Sequence, residues 1–363
     1  MAELVRLDHT LIKQGGLRYP VYVFGGTDDL ADPFVSSLQG EGDGFFRCSK
    51  SRERLSIPEL SKIASEGDIL FTIHRGRGLR VALTTNTHQN TLLLTEQCNN
   101  NCTFCSQPPR DLPHYFDYCL SALKHFEAAG QVGLTGGEPT LHWQSLLDLM
   151  VKGYKPGRTY HLLSHGRTFS KAALVQEMVT NKLHEKTLFG IPIHGASASA
   201  HDLVTNVAGS WDETVAGLIN LHYVGASIEV RVVVTQQVMP IVSETLALIH
   251  SIMGSQGYFI ALMRLEPTGW AKRHFNLLKP SVITEGQMLE EVISGCEIRN
   301  QSVKLYNYPL CDLPSSIRKY AAQSISDWKN VFGEVCSSCD GRKRCSGLFS
   351  SESEQRLSEL EPL

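Results

Sequence analysis

The sequence predicts an α/β fold: a partial (β/α)6 barrel of the TIM type, preceded by a strand-rich segment and followed by a cysteine-rich domain. Three observations lead there. Short apolar runs alternate six times with amphipathic helical stretches across residues 86–296. Such alternation implies parallel strands joined by right-handed helical crossovers. Residues 1–85 are strand-like throughout, and residues 297–363 replace apolar periodicity with cysteines. Three domains with those boundaries are expected.

The elements follow in order. YPVYVF and DILFTIH are strand-like runs bounded by Gly and Asp turn signals. They suit the 1–85 segment to a platform for a peptide or a partner. TLLLTE is a short buried strand, and HYFDYCLSALKHFEAAG is an amphipathic helix with Gly130 as its C-cap. Five more pairs continue the alternation: VGLT with HWQSLLDLM, YHLLS with KAALVQEMVTN, TLFGIPI with WDETVAGLINLHYVG, IEVRVVV with IVSETLALIHSIM, and YFIALMRL with EGQMLEEVISG. In an open barrel of this kind the chemistry lies at the C-terminal ends of the strands. The closing SESEQRLSELEPL is polar and acidic and is expected to be solvated.

Composition excludes several classes. The chain has 363 residues, 42% of them hydrophobic, which is too apolar for a disordered protein. A net charge of −3 gives no nucleic-acid footprint. MAELVRLDHT lacks a basic region followed by an apolar one, and no run reaches the roughly 18 apolar residues of a membrane span. A cytoplasmic location with no membrane and no nucleic-acid partner is expected, and there free thiols and metal thiolates persist.

The 10 cysteines are bunched. Cys98, Cys102 and Cys105 form one group, directly after the strand TLLLTE. Cys311, Cys336, Cys339 and Cys345 form another, while Cys48, Cys119 and Cys296 stand alone. Three thiolates on one short loop can bind three irons of a [4Fe–4S] cluster, leaving the fourth open to a small chelating ligand. Zinc prefers four closed ligands, and this loop offers no fourth Cys or His. The three asparagines suit a tight loop because Asn tolerates left-handed backbone angles. Phe104 can shield one side of the cluster. The C-terminal four can close a zinc site or hold a second cluster, and spacing does not choose. Arg342, Lys343 and Arg344 beside them either offset cluster charge or form a wet surface.

C-x3-C-x-aromatic-C after a first barrel strand resembles the radical S-adenosylmethionine (SAM) family. The resemblance implies that SAM chelates the open iron through its amino and carboxylate groups. It further implies that an electron from the reduced cluster splits a carbon–sulfur bond, giving a 5′-deoxyadenosyl radical that abstracts a substrate hydrogen. Gly136-Gly137-Glu138-Pro139, at the end of VGLT, is similar to the family's GGEP motif, which binds the SAM amino group. Ser164 ends the third strand where the family often places a hydroxyl or amide near SAM. Arg231, a cation inside an apolar strand, either meets the SAM carboxylate or forms an ion pair with Glu229 or Glu266. Glu266 ends the sixth strand, within reach of the adenosine or an internal Arg. His194 and His201 lie on the same expected face. No side chain is assigned a catalytic role. HRGRGLR, from His74 to Arg80, is an anion contact or a solvated turn.

C-x2-C-x5-C at the second group resembles the SPASM or twitch domains of peptide-modifying radical SAM enzymes, with cysteines enough for one auxiliary [4Fe–4S] cluster. TLLLTEQCNNNCTFCSQPP, IPIHGASASAHD, NYPLCDLP, SISDWK and CSSCDGRKRCSG together resemble the His-Xaa-Ser system radical SAM maturase of the C type. That resemblance implies a small His-Xaa-Ser repeat peptide as substrate, a sister maturase as partner and a low-potential electron donor, flavodoxin or ferredoxin. Radical chemistry on a small molecule or a sulfatase-type residue, and a non-catalytic zinc-binding interaction protein, are the competing readings.

Overall fold

The computed structural model describes residues 4–6, 17–26, 31–73, 78–87, 89–326 and 329–363. The string HRGRGLR therefore lies in part outside the described residues, as do Asp327 and Trp328 of SISDWK. The chain forms two compact units, residues 1–95 with 112–161, and residues 96–111 with 162–363.

The first unit opens with seven strands: β1 (Leu4–Arg6), β2 (Val21–Phe24), β3 (Val35–Gly42), β4 (Phe45–Cys48), β5 (Arg54–Ser56), β6 (Ile69–Ile73) and β7 (Gly78–Leu83). Their order in the sheet is β1-β7-β6-β2-β3-β4-β5. All pairs are antiparallel except β2 with β3. Tyr22, Leu38, Phe46, Leu55, Ile57 and Leu70 fill the core of this sheet. Asp43 and Gly44 take positive φ, +50° and +75°, at the tight β3–β4 turn.

The same unit holds the first strands of the second sheet. β8 (Asn90–Thr95) pairs in parallel with β9 (Gly130–Gly136), and β10 (Arg158–Leu163) follows. Helices α1 (Phe116–His125) and α2 (Trp143–Lys152) connect them. The helix expected to run to Gly130 stops at His125, and Gly130 opens β9 instead. The reason is Arg158, only 1% exposed. Its guanidinium donates to the carbonyls of Leu123 (2.8 Å), Phe126 and Gly153. One buried cation thus satisfies the last carbonyls of α1 and α2 and complements both helix dipoles.

The strand β10 is shared, with Leu162 and Leu163 falling in the second unit. The second unit also holds β11 (Thr187–Pro192), β12 (Ser227–Val234), β13 (Tyr258–Arg264), β14 (Val303–Tyr306) and β15 (Ala321–Ala322). Every pairing from β11 to β15 is parallel. Helices α3 (Ala172–Thr180), α4 (Ala198–Thr205), α5 (Ser210–Tyr223), α6 (Val242–Met253) and α7 (Val282–Ile298) alternate with the strands. Along β12, Ile228, Val230, Val232 and Val234 are fully buried, whereas Arg231 and Val233 on the other face are only half-buried. That alternation follows from the two-residue period of a strand. The expected α/β fold with a parallel sheet is present, and β14 and β15 carry the sheet beyond its six expected strands.

Two further features depart from expectation. Helix α4, in a stretch to which the sequence assigned no element, begins after extended Ser197 and ends at left-handed Asn206 (φ +52°). The terminal segment is exposed over most of its length, as expected, but it is also folded and buries two side chains. Helix α8 (Glu354–Ser358) is capped by Ser353 Oγ, which accepts from the Arg356 amide at 3.2 Å. Arg356 and Leu360 are both buried. Buried ion pairing of Arg356 with Asp312 outweighs the solubility of the flanking acids. Two short antiparallel strands, β16 (Asn330–Val331) and β17 (Leu348–Phe349), precede it. Among the described residues, no helix is long and apolar enough to cross a membrane.

Candidate metal and cofactor centre

The three-cysteine loop follows β8 directly and is anchored within the second unit at several points. Asn101 N–H donates to Thr205 O and Thr103 N–H to Val204 O, both at 2.9 Å. Asn206 Nδ2 donates to Asn101 O at 2.8 Å. Arg167 Nη1 reaches Asn99 O (3.1 Å) and Asn100 Oδ1 (2.7 Å), while its Nε pairs with Glu213 at 2.5 Å. His165 Nε2 and Asn99 Oδ1 are 2.7 Å apart. Asn99 and Asn100 therefore serve by side-chain hydrogen bonding and Asn101 through its backbone; none of the three takes positive φ. Arg167 and His165 went unrecognised in the sequence, because an Arg and a His after a strand are ambiguous until their acceptors are known.

The sulfurs of this loop sense one another. Burial pushes the Cys102 thiol up to about 12, with further contributions from Cys105 and Cys98. Burial also raises Cys105, whose Sγ donates to Gln107 O at 3.0 Å. Cys98 Sγ accepts the Asn100 amide at 3.4 Å. Three mutually opposed thiolates in a low-dielectric loop need a positive partner between them, so this donor set fits an iron–sulfur cluster.

Glycine at 269 closes the other side. At φ +53°, a Cβ there would lie 2.3 Å from Cys105 O and 2.5 Å from Ser106 O, and Trp270 N–H donates to Cys105 O at 2.9 Å. Gly269→Ala is expected to displace the Cys105 backbone and cut iron at this loop by half or more, measured by metal analysis and the absorbance of the reconstituted protein.

Phe104 is buried and meets His194 edge-on, with centroids 5.2 Å apart. His194 stacks on His201 at 5.3 Å, and its amide donates to His201 Nδ1 at 3.2 Å. Burial, then each other's proximity, pulls His194 down to about 3. His201 falls to about 4, again through burial first. Both rings are neutral in the fold at neutral pH. Because the folded value lies below the unfolded one, the unfolded chain binds more protons below about pH 6.5 and stability falls with acidification. Between pH 6.5 and 5 His194 alone contributes a loss of about 2 kcal/mol. Denaturant titrations at the two pH values check this: His194→Phe, which keeps the ring against Phe104, reduces the acid-induced loss by that amount.

The motif after β9 lies in the first unit. A Cβ on Gly136 would come 2.3 Å from Thr95 O, so only glycine lets β9 leave β8 this closely. Gly137 N–H donates to Thr95 O at 2.9 Å. Glu138 is fully buried, and its Oε1 accepts from the Thr140 amide (3.0 Å) and hydroxyl (2.6 Å), capping a turn that Pro139 begins. Ser164, in the second unit, is buried, and its Oγ accepts the Gly166 amide at 3.1 Å. Arg231 Nε lies 3.3 Å from Glu229 Oε1 and 3.3 Å from Met263 Sδ. Glu229 is the ion-pair partner considered for it from sequence. Glu266 pairs with Lys329 at 3.5 Å.

Cys311, Cys336, Cys339 and Cys345 line one small cavity of about 20 Å³, together with Phe332 and Leu360. Cys345 Sγ accepts the amides of Leu310 (3.3 Å) and Gly347 (3.4 Å). Burial, then Asp312, raises the Cys311 thiol. Arg342 lines the same cavity, its guanidinium 5.0 Å from the Phe332 ring centroid, whereas Lys343 and Arg344 are exposed. Cys48, Cys119 and Cys296 are buried singly. Among the described residues, no three His, Cys, Asp or Glu side chains gather as a single-ion site.

Residues 92–243 match the family model of the Radical SAM superfamily. This span is a radical SAM domain. Among solved structures, the chain is similar to Streptococcus suis SuiB bound to precursor peptide SuiA, at 12% identity and TM-score 0.47, over 60% of this chain and 47% of that one. It is similar to anSMEcpe with bound AdoMet at 14% identity and TM-score 0.47, over 75% and 80%. It is also similar to a domain of pyruvate-formate lyase-activating enzyme from Bacteroides vulgatus at 14% identity and TM-score 0.39, over 49% and 99%. The chain spans about half the length of SuiB. No curated protein sequence matches it. The family implies a [4Fe–4S] cluster and SAM, and the three-cysteine loop is the donor set that fits the cluster.

Proposed function

We propose that this radical SAM protein is a maturase that reductively cleaves SAM and modifies a ribosomally made His-Xaa-Ser repeat peptide. The observation that carries the reading is the anchored loop of Cys98, Cys102 and Cys105 at the end of the first parallel strand. When bound there, the cluster supplies the electron that cleaves SAM and yields the hydrogen-abstracting radical. The chain's own residues have simpler tasks. Arg167, Asn206 and Gly269 fix the loop, Phe104 and His194 exclude water beside it, and Gly136, Gly137, Glu138 and Pro139 hold the SAM amino group. Ser164 and Arg231 lie at strand positions suited to the rest of SAM, with Glu229 already setting the orientation of Arg231.

The C-terminal cavity supports an auxiliary [4Fe–4S] cluster. The four cysteines line one cavity, and their C-x2-C-x5-C spacing resembles that of auxiliary-cluster domains. The substrate, a sister maturase, the flavodoxin or ferredoxin donor and the cytoplasmic location follow from the local strings and the thiol usage. Residues 1–85 serve as the platform for peptide or partner, with 86–296 as the radical core and 297–363 as the auxiliary domain.

The test is anaerobic reconstitution followed by reduction with SAM and a deuterated His-Xaa-Ser repeat peptide. Deuterium appearing in 5′-deoxyadenosine supports the reading. Iron loading with SAM cleavage but no deuterium transfer, even beside the sister maturase, removes the peptide. Zinc without iron or sulfide removes the enzyme.

A further inference from the structure

The acidic segment at residues 351–363 was expected to be solvated, yet it is held at four places. Arg356 pairs with Asp312, the neighbour of Cys311. The carbonyl of Leu357 lies so close over Gly333 that a Cβ there would be 2.7 Å from it. Leu360 is 5% exposed. Residue 363 makes a two-way clamp: Leu363 N–H donates to Cys339 Sγ at 3.4 Å, and Asp340 N–H donates to Leu363 O at 3.4 Å. Leu360, Glu361, Pro362 and Leu363 all line the cavity that the four cysteines share.

We propose that Leu360–Leu363 form the outer wall of the C-terminal metal site, and that the Leu363 amide is a positioning donor to the ligand sulfur of Cys339. This rests on the reading of the four cysteines as a metal centre. The physical grounds are two. Leu360 is buried against the cavity, and Glu361, Pro362 and Leu363 line it from the solvent side, so the segment stands between water and what fills the cavity. An N–H aimed at a thiolate sulfur places positive dipole beside negative charge and stabilises the more reduced state of a cluster. The wall brings both effects to Cys339. Amides from elsewhere in the domain serve Cys345.

The experiment uses the full chain carrying Cys98→Ala, Cys102→Ala and Cys105→Ala, so that only the C-terminal site holds metal. It compares the intact segment, a deletion of residues 360–363, and Leu363→Pro, which removes one N–H. Arg356 stays in every form, so its pairing with Asp312 persists, and far-UV circular dichroism checks the fold. The intact form should hold about four irons per chain. The deletion should lose most of them or bleach in chelator at least tenfold faster. Leu363→Pro should keep iron but shift the midpoint potential downward. Equal iron and equal bleaching in the deletion, or an unchanged potential in Leu363→Pro, overturns the wall or the donor respectively. Should the intact form bind zinc instead, the cluster reading fails on its own, and the deletion then tests the wall through zinc release at the same tenfold threshold. An intact form that binds no metal overturns both.

Discussion

Replacing Cys98, Cys102 and Cys105 together by alanine is expected to lower SAM cleavage at least a thousandfold, about 4 kcal/mol in barrier, while leaving the fold and the C-terminal metal in place. The loss is this large because the cluster supplies the whole redox step, and no other donor set lies on this loop. The fold survives because the loop does not depend on its thiols. Asn101 and Thr103 are tied to the end of α4 through their backbones, and Asn99 and Asn100 are tied to His165 and Arg167. Burial keeps the Cys102 thiol protonated without a metal, so its loss removes no charge that the apo fold relies on. Metal analysis and 5′-deoxyadenosine formation are read on the same sample. Iron and sulfide should fall to the content of the C-terminal site, without a matching drop in melting temperature. Iron falling to zero would place no metal at Cys311, Cys336, Cys339 and Cys345. Undiminished SAM cleavage would move the chemistry away from this loop altogether.

Much of this centre was legible because two strong local signals coincide. The apolar runs from TLLLTE to YFIALMRL carry a strand period, and the cysteines fall directly after the first of them. Spacing then constrains geometry, since three residues within eight positions of one loop cannot avoid each other. The missed parts depend on long-range partners. The end of α1 is set by Arg158, over thirty residues downstream, whose guanidinium takes the last carbonyls before Gly130 can act. Helix α4 hides in a run of small and polar residues, and becomes a helix that presents Val204 and Thr205 carbonyls to the cysteine loop. The side-chain roles of Asn99 and Asn100 need Arg167 and His165 to be known. For Arg231, the sequence left a ligand and an acid as equals, and the fold places Glu229 beside it. The closing segment reads as solvent-facing by composition, since the burial of Arg356 has no local signature at all.

That burial leads to the second large effect. Asp312 is 10% exposed on its side chain, and it accepts from both Arg264 and Arg356, which are 5% and 7% exposed. Burial alone would raise its carboxyl, but the two guanidiniums outweigh burial and hold it below the usual carboxylate range. Arg264 sits near a second acid as well, Glu285, whose Oε1 accepts the Tyr308 hydroxyl at 2.7 Å. Glu285 is itself raised by burial, so it compensates Arg264 only in part. Asp312→Ala therefore leaves two buried cations under-compensated, Arg264 with Glu285 alone and Arg356 with the half-exposed Glu359 at 3.7 Å, at a cost of about 3–5 kcal/mol. Denaturant unfolding measures that loss, and iron at the neighbouring Cys311 should fall with it. The pH window separates this effect from that of His194. A carboxyl with a depressed folded value contributes stability above the unfolded value near pH 3.8 and loses it only as pH falls further. Wild type and Asp312→Ala should thus differ by a constant amount from pH 7 to 5, across the range where His194→Phe changes the slope. The compensating variant decides whether charge or shape is at stake. Asp312→Leu with Arg264→Met, Arg356→Leu and Glu285→Gln removes the buried cations together with the acids that face them, and it should recover most of the lost stability. If it does not, packing around Cys311, rather than the stranded cations, accounts for the damage.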